Sequence, residues 1–235
     1  MEFLGLQFEV EGAKVLGQLR RANEINRQLN EMQQRHGLPS SPALAAGEPP
    51  LMGNCPATFP SRMDSSMLWR ESDLAAVALA LCGGAAQAAK ALKRGQEALA
   101  QRPDNTLLKA IQLPMLRATA ELKRGQPDNA IELLQPVMHY ERRYPEVVYL
   151  RGLVYLQARK GTEAAGEFQK IIDHKGAYWG PFYAVSYVGL ARGAALAGDI
   201  TRAKRAYQDF LALWKDADAD IPILIAARKE YAALN

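Results

Sequence analysis

Val148-Tyr149-Leu150-Arg151-Gly152-Leu153-Val154-Tyr155 is followed by Lys160-Gly161-Thr162-Glu163-Ala164 and then by Phe168 and Ile171. Val148, Gly152, Tyr155, Ala164, Phe168 and Ile171 thus stand at successive offsets of 4, 3, 9, 4 and 3. Residues three and four apart share one face of a helix, and the longer step across Gly161 leaves room for a tight turn. The stretch therefore reads as two helices folded back on each other. Gly152 lets the second helix come close, Tyr155 fills the space beneath it, Ala164 is the facing small residue, and Phe168 and Ile171 extend the buried stripe. Thr162, next to Gly161, is the expected cap of the second helix.

The pattern recurs on both sides. Tyr187, Leu190-Ala191, Ala194, Gly198-Asp199, Ala203, Tyr207 and Phe210 repeat it with Ala191 at the close-contact place. A further copy runs through Ala118, Gly125, Ala130, Leu134 and Val137, and a fainter one through Ala76, Leu79, Gly83, Ala88 and Leu92. The equivalent alanines 88, 130, 164 and 203 lie 42, 34 and 39 residues apart, a drift that fits helix pairs joined by connections of unequal length. The expected fold is all-α, an array of helix pairs over 69–217 with units at about 69–103, 104–143, 145–176 and 184–217.

These residues resemble the tetratricopeptide repeat, whose period is about 34 residues and whose aromatic, Leu-Gly, Tyr, Ala, Phe and Pro pattern they partly match. The continuation Phe210-Leu211-Ala212-Leu213-Trp214-Lys215-Asp216-Ala217-Asp218, followed by Ile221-Pro222-Ile223-Leu224, is similar to the C-terminal repeat region of bacterial eukaryote-like serine/threonine kinases and of winged-helix regulators. The resemblance covers most of 69–235. It implies a right-handed helix-pair solenoid that binds a protein or peptide partner in its concave groove. It also implies an alternative, that the chain is the C-terminal sensory or docking module of a larger kinase or transcriptional regulator. A first helix that starts almost at Met1 is what a truncated array would show.

Outside the array, 218–235 carries a helical stretch with Ile223, Ala226, Ala227 and Tyr231 on one face and Arg228, Lys229 and Glu230 more exposed, the expected capping helix. Residues 1–36 read as another, degenerate helix pair around Gly17. Between them and the array, the pattern collapses over 37–68. Six prolines, three glycines and five serines fall within 37–67, a composition in which no helix is expected. An exposed linker, an ordered functional loop and a reading-frame error all produce such a segment.

Composition sets the outer limits. The 235 residues allow one large or two small domains at roughly 100–200 residues each. A net charge of +4 does not call for nucleic acid or membrane as partner. Cys55 and Cys82 form no CxxC, so neither a disulfide framework nor a zinc site is expected, and a reducing cytoplasm is the simpler location. No Gly-rich phosphate loop, HRD, DFG, HExxH or GxSxG motif occurs, so neither enzymatic activity nor a cofactor is expected. Basic pairs such as Lys123-Arg124 and Arg159-Lys160 precede glycines and read as cations in the last helical turn, not as a nucleic-acid stripe. Tyr178-Trp179-Gly180-Pro181-Phe182-Tyr183 reads as an aromatic staple between repeats, with a binding hot spot as the competing role.

Function is thus expected at a surface. The first helix of each pair lines the concave face of a helix-pair solenoid. Its register selects Arg70, Asp73, Val77 and Leu81, then Gln112, Met115, Thr119 and Lys123, then Tyr149, Leu153, Leu156 and Gln157, and finally Val188, Arg192, Ala195 and Leu196. Of these, Arg70, Gln112, Lys123, Tyr149, Gln157 and Arg192 are the predicted partner-binding residues, with Arg192 or Lys123 available to a carboxylate.

Overall fold

A computed structural model describes residues 2–37, 48–55, 68–175 and 181–234. Helices α1 (Glu2–Val15) and α2 (Leu19–Arg35) form an N-terminal hairpin, and one turn, α3 (Glu48–Leu51), follows. Then come α4 (Leu68–Cys82), α5 (Ala85–Gln101), α6 (Leu113–Lys123), α7 (Pro127–Leu134), α8 (Pro145–Gln157), α9 (Gly161–Asp173), α10 (Phe182–Leu196), α11 (Ile200–Leu213) and α12 (Pro222–Ala233). A π-helical turn, Leu108–Gln112, leads into α6, and a 3-10 segment, Gln135–Tyr140, ends α7. No strand occurs among the described residues, so the fold is all-α and solenoid-like.

The repeats at 145–217 pack as their spacing requires. Phe168 is fully buried, and a Cβ on Gly152 would stand 2.6 Å from its ring. The next helix, α10, offers an equivalent slot, because a Cβ on Gly189 would come within 2.5 Å of the same ring. Phe168 therefore sits between two glycines that belong to consecutive pairs. Burying such a side chain is worth about 1.5–3 kcal/mol. Tyr149 meets Phe168 and Phe182 edge-on, each at 5.3 Å between centroids, so three rings seal the joint between α8, α9 and α10. Buried Phe182 thus acts as the expected staple, while Tyr178 and Trp179 lie outside the described residues.

Several details differ from the sequence-based expectations. Thr162 caps nothing, since α9 begins at Gly161 with Lys160 at its N-cap and no side-chain bond there. The capping carboxylate belongs to α11, where Asp199 accepts from the Arg202 amide at 3.0 Å. Lys123 does close α6, but Arg159 and Lys160 fall beyond the end of α8, and Arg159 takes the left-handed conformation at φ 60°. The segment 37–68 is not wholly irregular. Pro49 and Pro50 sit in the single turn of α3, where a missing N–H costs nothing. Residues 38–47 and 56–67 of that segment lie outside the described residues.

Three larger corrections concern how the chain closes on itself. Cys55 and Cys82, expected as free thiols, form a disulfide with their Cα atoms 5.3 Å apart. The fold brings together two residues 27 positions apart whose spacing carries no such signal. The basis for placing the chain in a reducing cytoplasm falls with the free thiols. Second, α4 and α5 do not form the helix pair read at 69–103. They make almost no contact beyond the Gly83–Gly84 junction, and α4 instead lies across α6 and α8. Third, the hairpin α1–α2 does not open the array. It docks at the other end, where α1 touches α10 and the Trp214 Nε1–H donates to the Val15 carbonyl at 2.9 Å.

Among the described residues, no helix is long and apolar enough to cross a membrane, and no cluster of His, Cys, Asp or Glu is arranged to hold a metal ion.

Candidate functional site

The inner face of the array is formed by α6, α8 and α10, the first helices of three successive pairs. Along α6 and α8 it is already occupied. Ala76, Val77, Ala78 and Leu79 of α4 are all buried, and four consecutive positions span more than a full helical turn. A helix buried on every side is enclosed, not laid on a surface. On one side α4 rests on α6 and α8, where the Thr119 hydroxyl donates to the Ala76 carbonyl at 3.2 Å. Another side is taken by α3 and the residues after it, with Leu51 and Met52 each 1% exposed.

This cover is joined to the end of the array. The Ile223 amide donates to the Met52 carbonyl at 3.1 Å, at the start of α12. Gly53, at φ +82°, lies against Pro222 and Ile223 so closely that a Cβ would stand 3.1 Å from the Ile223 nitrogen. Two residues further on, Cys55 is bonded to the last residue of α4. The chain from α4 through the disulfide and Met52 to α12 thus bridges the two ends of the array.

The predicted partner-binding residues have diverse fates. Tyr149 is 3% exposed and belongs to the aromatic joint; burial pushes its phenol up to about 12, against the opposing pull of Arg192. Arg192 is engaged, donating through Nε and Nη2 to the two carboxylate oxygens of Glu230 on α12 at 2.8 and 2.7 Å. The Tyr207 hydroxyl also donates to Glu230, at 2.5 Å. Burial raises the Glu230 pKa, but the hydrogen bonds from Arg192 and Tyr207 outweigh it and hold the carboxyl below its ordinary value. Glu230, read from sequence as exposed, is therefore the residue that locks the capping helix. Gln157 is exposed but donates to the Leu122 carbonyl at 2.9 Å, a second bond on a carbonyl that also accepts from the Gly125 amide at 3.1 Å.

Gln112 is buried in the π-helical turn, and its Nε2 has no hydrogen-bond partner among the described residues. Lys123 is half-buried at the end of α6 and has no acidic partner among the described residues; burial pulls its pKa down. The side chain of Arg70, in the first turn of α4, lies outside the described residues. Of the register as a whole, Val77, Met115, Thr119 and Val188 are buried, whereas Leu81, Leu153, Leu156, Ala195 and Leu196 are partly exposed.

The residues that define this site without having been singled out are Leu51, Met52 and the cystine. One available signal was the run Leu74-Ala75-Ala76-Val77-Ala78-Leu79-Ala80-Leu81, apolar at every position and so unfit for a helix with a solvent-facing side. The sequence matches no family model, and comparisons with curated proteins and with solved structures return no match.

Proposed function

We propose that the chain is a non-catalytic interaction scaffold of the tetratricopeptide type whose inner face binds a helix of a partner protein. One observation carries the reading: the array already clasps a helix, α4, along α6 and α8. That occupant shows what the surface accepts. It is slim, with alanines at 75, 76, 78 and 80 that allow close approach, and its Val77, Leu79 and Leu81 supply apolar contact. The Thr119 bond goes to a backbone carbonyl, so it is open to any helix seated at that depth. The ammonium of Lys123, with no acidic partner among the described residues, adds a place for a carboxylate at the end of α6. A helix in an apolar groove is one of the recurring modes of peptide recognition.

The test is titration of the full chain, oxidised and reduced, with a labelled synthetic copy of Leu68–Leu81 followed by fluorescence anisotropy. Saturable binding in at least one state is expected, together with discrimination against a scrambled peptide. A flat titration in both states overturns the scaffold reading. An acidic residue appended at either end of the peptide should tighten binding to the wild type, and Lys123→Glu should abolish that gain.

A further inference from the structure

We infer that the Cys55–Cys82 disulfide is a latch that keeps α4 on the inner face, and that its reduction is what opens this face to a partner helix. The inference rests on the helix-binding reading above and adds its regulation.

The disulfide joins α4 to the segment that packs on its outer side. It ties the C-terminal end of α4 to a short segment that is itself held on α12 by the Met52–Ile223 hydrogen bond and by the close seat of Gly53. The cap α12 is in turn fixed to α10 by Glu230 and Arg192. With the bond intact, the C-terminal end of α4 is held twice: to α5 through two residues, and through the disulfide and residues 52–55 to the far end of the array. Dissociation of α4 then has to carry α3 and its contacts away as well. With the bond broken, the cross-link from this end to the cap is gone, and what holds α4 in place is its chain connections, the apolar contact and the Thr119 bond. Tethering of this kind acts through effective concentration: a helix end held by one link competes less well with an incoming partner than one held by two.

Accessibility fits the role. Cys55 is exposed, while Cys82 is partly buried at the end of α4. A dithiol reductant can therefore attack the Cys55 sulfur as a thiolate, releasing Cys82 as the leaving thiolate and forming a mixed disulfide with Cys55. The second thiol of the reductant then displaces Cys55. Two electrons and two protons reach the protein, which gains two thiols, and the dithiol leaves as its own disulfide. The partner class follows from α4: a small-residue, apolar helix that replaces α4 residue for residue.

Hydrogen exchange on the full chain tests the latch directly, comparing the oxidised protein, the protein reduced with dithiothreitol, and Cys55→Ser. The expected result is exchange at least roughly tenfold faster over Leu74–Cys82 in the reduced protein and in Cys55→Ser. The amides of α6, α8 and α10 should keep their protection. Unchanged exchange over α4 after reduction overturns the latch, and so does an equal acceleration across the whole array, which would make the bond a general staple. The peptide copy of Leu68–Leu81 separates this from the underlying reading. Binding to the reduced chain and not to the oxidised one supports the latch, and equal binding to both overturns it while leaving the helix-binding surface intact. Released α4 with no peptide binding overturns the scaffold reading instead.

Discussion

The indole of Trp214 donates to the backbone carbonyl of Val15 at 2.9 Å, a bond between residues 199 positions apart that fastens the first helix of the chain to the end of α11. The Trp214 side chain is fully buried. Beside it, Gly17 turns α1 into α2 at φ +69°, and a Cβ there would stand 2.8 Å from that of Ala217 and 2.9 Å from the indole.

Two substitutions should therefore undo this joint by different routes. Trp214→Phe keeps most of the bulk and leaves the Val15 carbonyl unpaired, a loss of about 1–3 kcal/mol. Trp214→Ala adds a cavity and should cost about 3–5 kcal/mol. Denaturant unfolding gives both values, and an unchanged stability for Trp214→Phe would show that the hydrogen bond contributes nothing.

Gly189→Ala is expected to destabilise the array by about 1–3 kcal/mol because its Cβ drives into the Phe168 ring. In a Phe168→Leu background the same change should cost less, since the Cε1 and Cζ atoms it meets have gone. The two effects are coupled through one shared slot, so a double-mutant cycle should show clear non-additivity. Strict additivity would place Phe168 elsewhere.

Arg159 holds a left-handed conformation that favours glycine. Its neighbours confirm the convention, since Gly125 and Gly198 occupy equivalent helix ends at φ +77° and +83°. Arg159→Gly should raise stability by up to about 1 kcal/mol, which for a chain of this size is a rise in Tm of about 2–4 °C. A lowered Tm counts against the geometry.

Acid should loosen the cap and the 3-10 region together. Burial raises the pKa values of Glu230 and Glu141, but hydrogen bonds from Arg192 and Tyr207 to the one, and from Arg151 and Lys170 to the other, leave both below the ordinary 4.5. A carboxyl depressed in the folded state contributes stability above its unfolded pKa and loses it as pH falls through the folded value. Thermal melts should thus be level near neutrality and fall below about pH 4.5. Glu230→Gln should lower the plateau and flatten part of that slope.

Reduction of the cystine should cost stability as well as release α4. Closing a loop between residues 27 apart removes unfolded-state entropy worth about 3–4 kcal/mol in the chain-entropy account. Melting with and without dithiothreitol measures it, and an unchanged Tm would mean that the reduced chain is not freed by unfolding.

Much of the fold was written locally. The stripe from Val148 to Ile171, and its echo from Tyr187 to Phe210, specify helices and the faces they bury, because helix period and residue size act over three or four positions. Gly152 could be assigned a close approach for the same reason. Arg192, Lys123 and Gln157 were placed on the right helices, but their partners were not legible. Glu230 lies 38 residues from Arg192, and Leu122 lies 35 from Gln157.

The sequence by itself determined the all-α character, the helix-pair rhythm and the direction of each buried face in the later repeats, since these follow from backbone geometry and neighbouring side chains. Tertiary structure alone decided that α4 leaves its expected pair to lie across α6 and α8, that residues 1–35 dock beside Trp214 and not at the head of the array, and that Cys55 meets Cys82. The physical reason is common to all three. An apolar helix such as α4 is satisfied by any sufficiently apolar surface, so its own pattern states that it must be buried and leaves the choice of where to the rest of the chain.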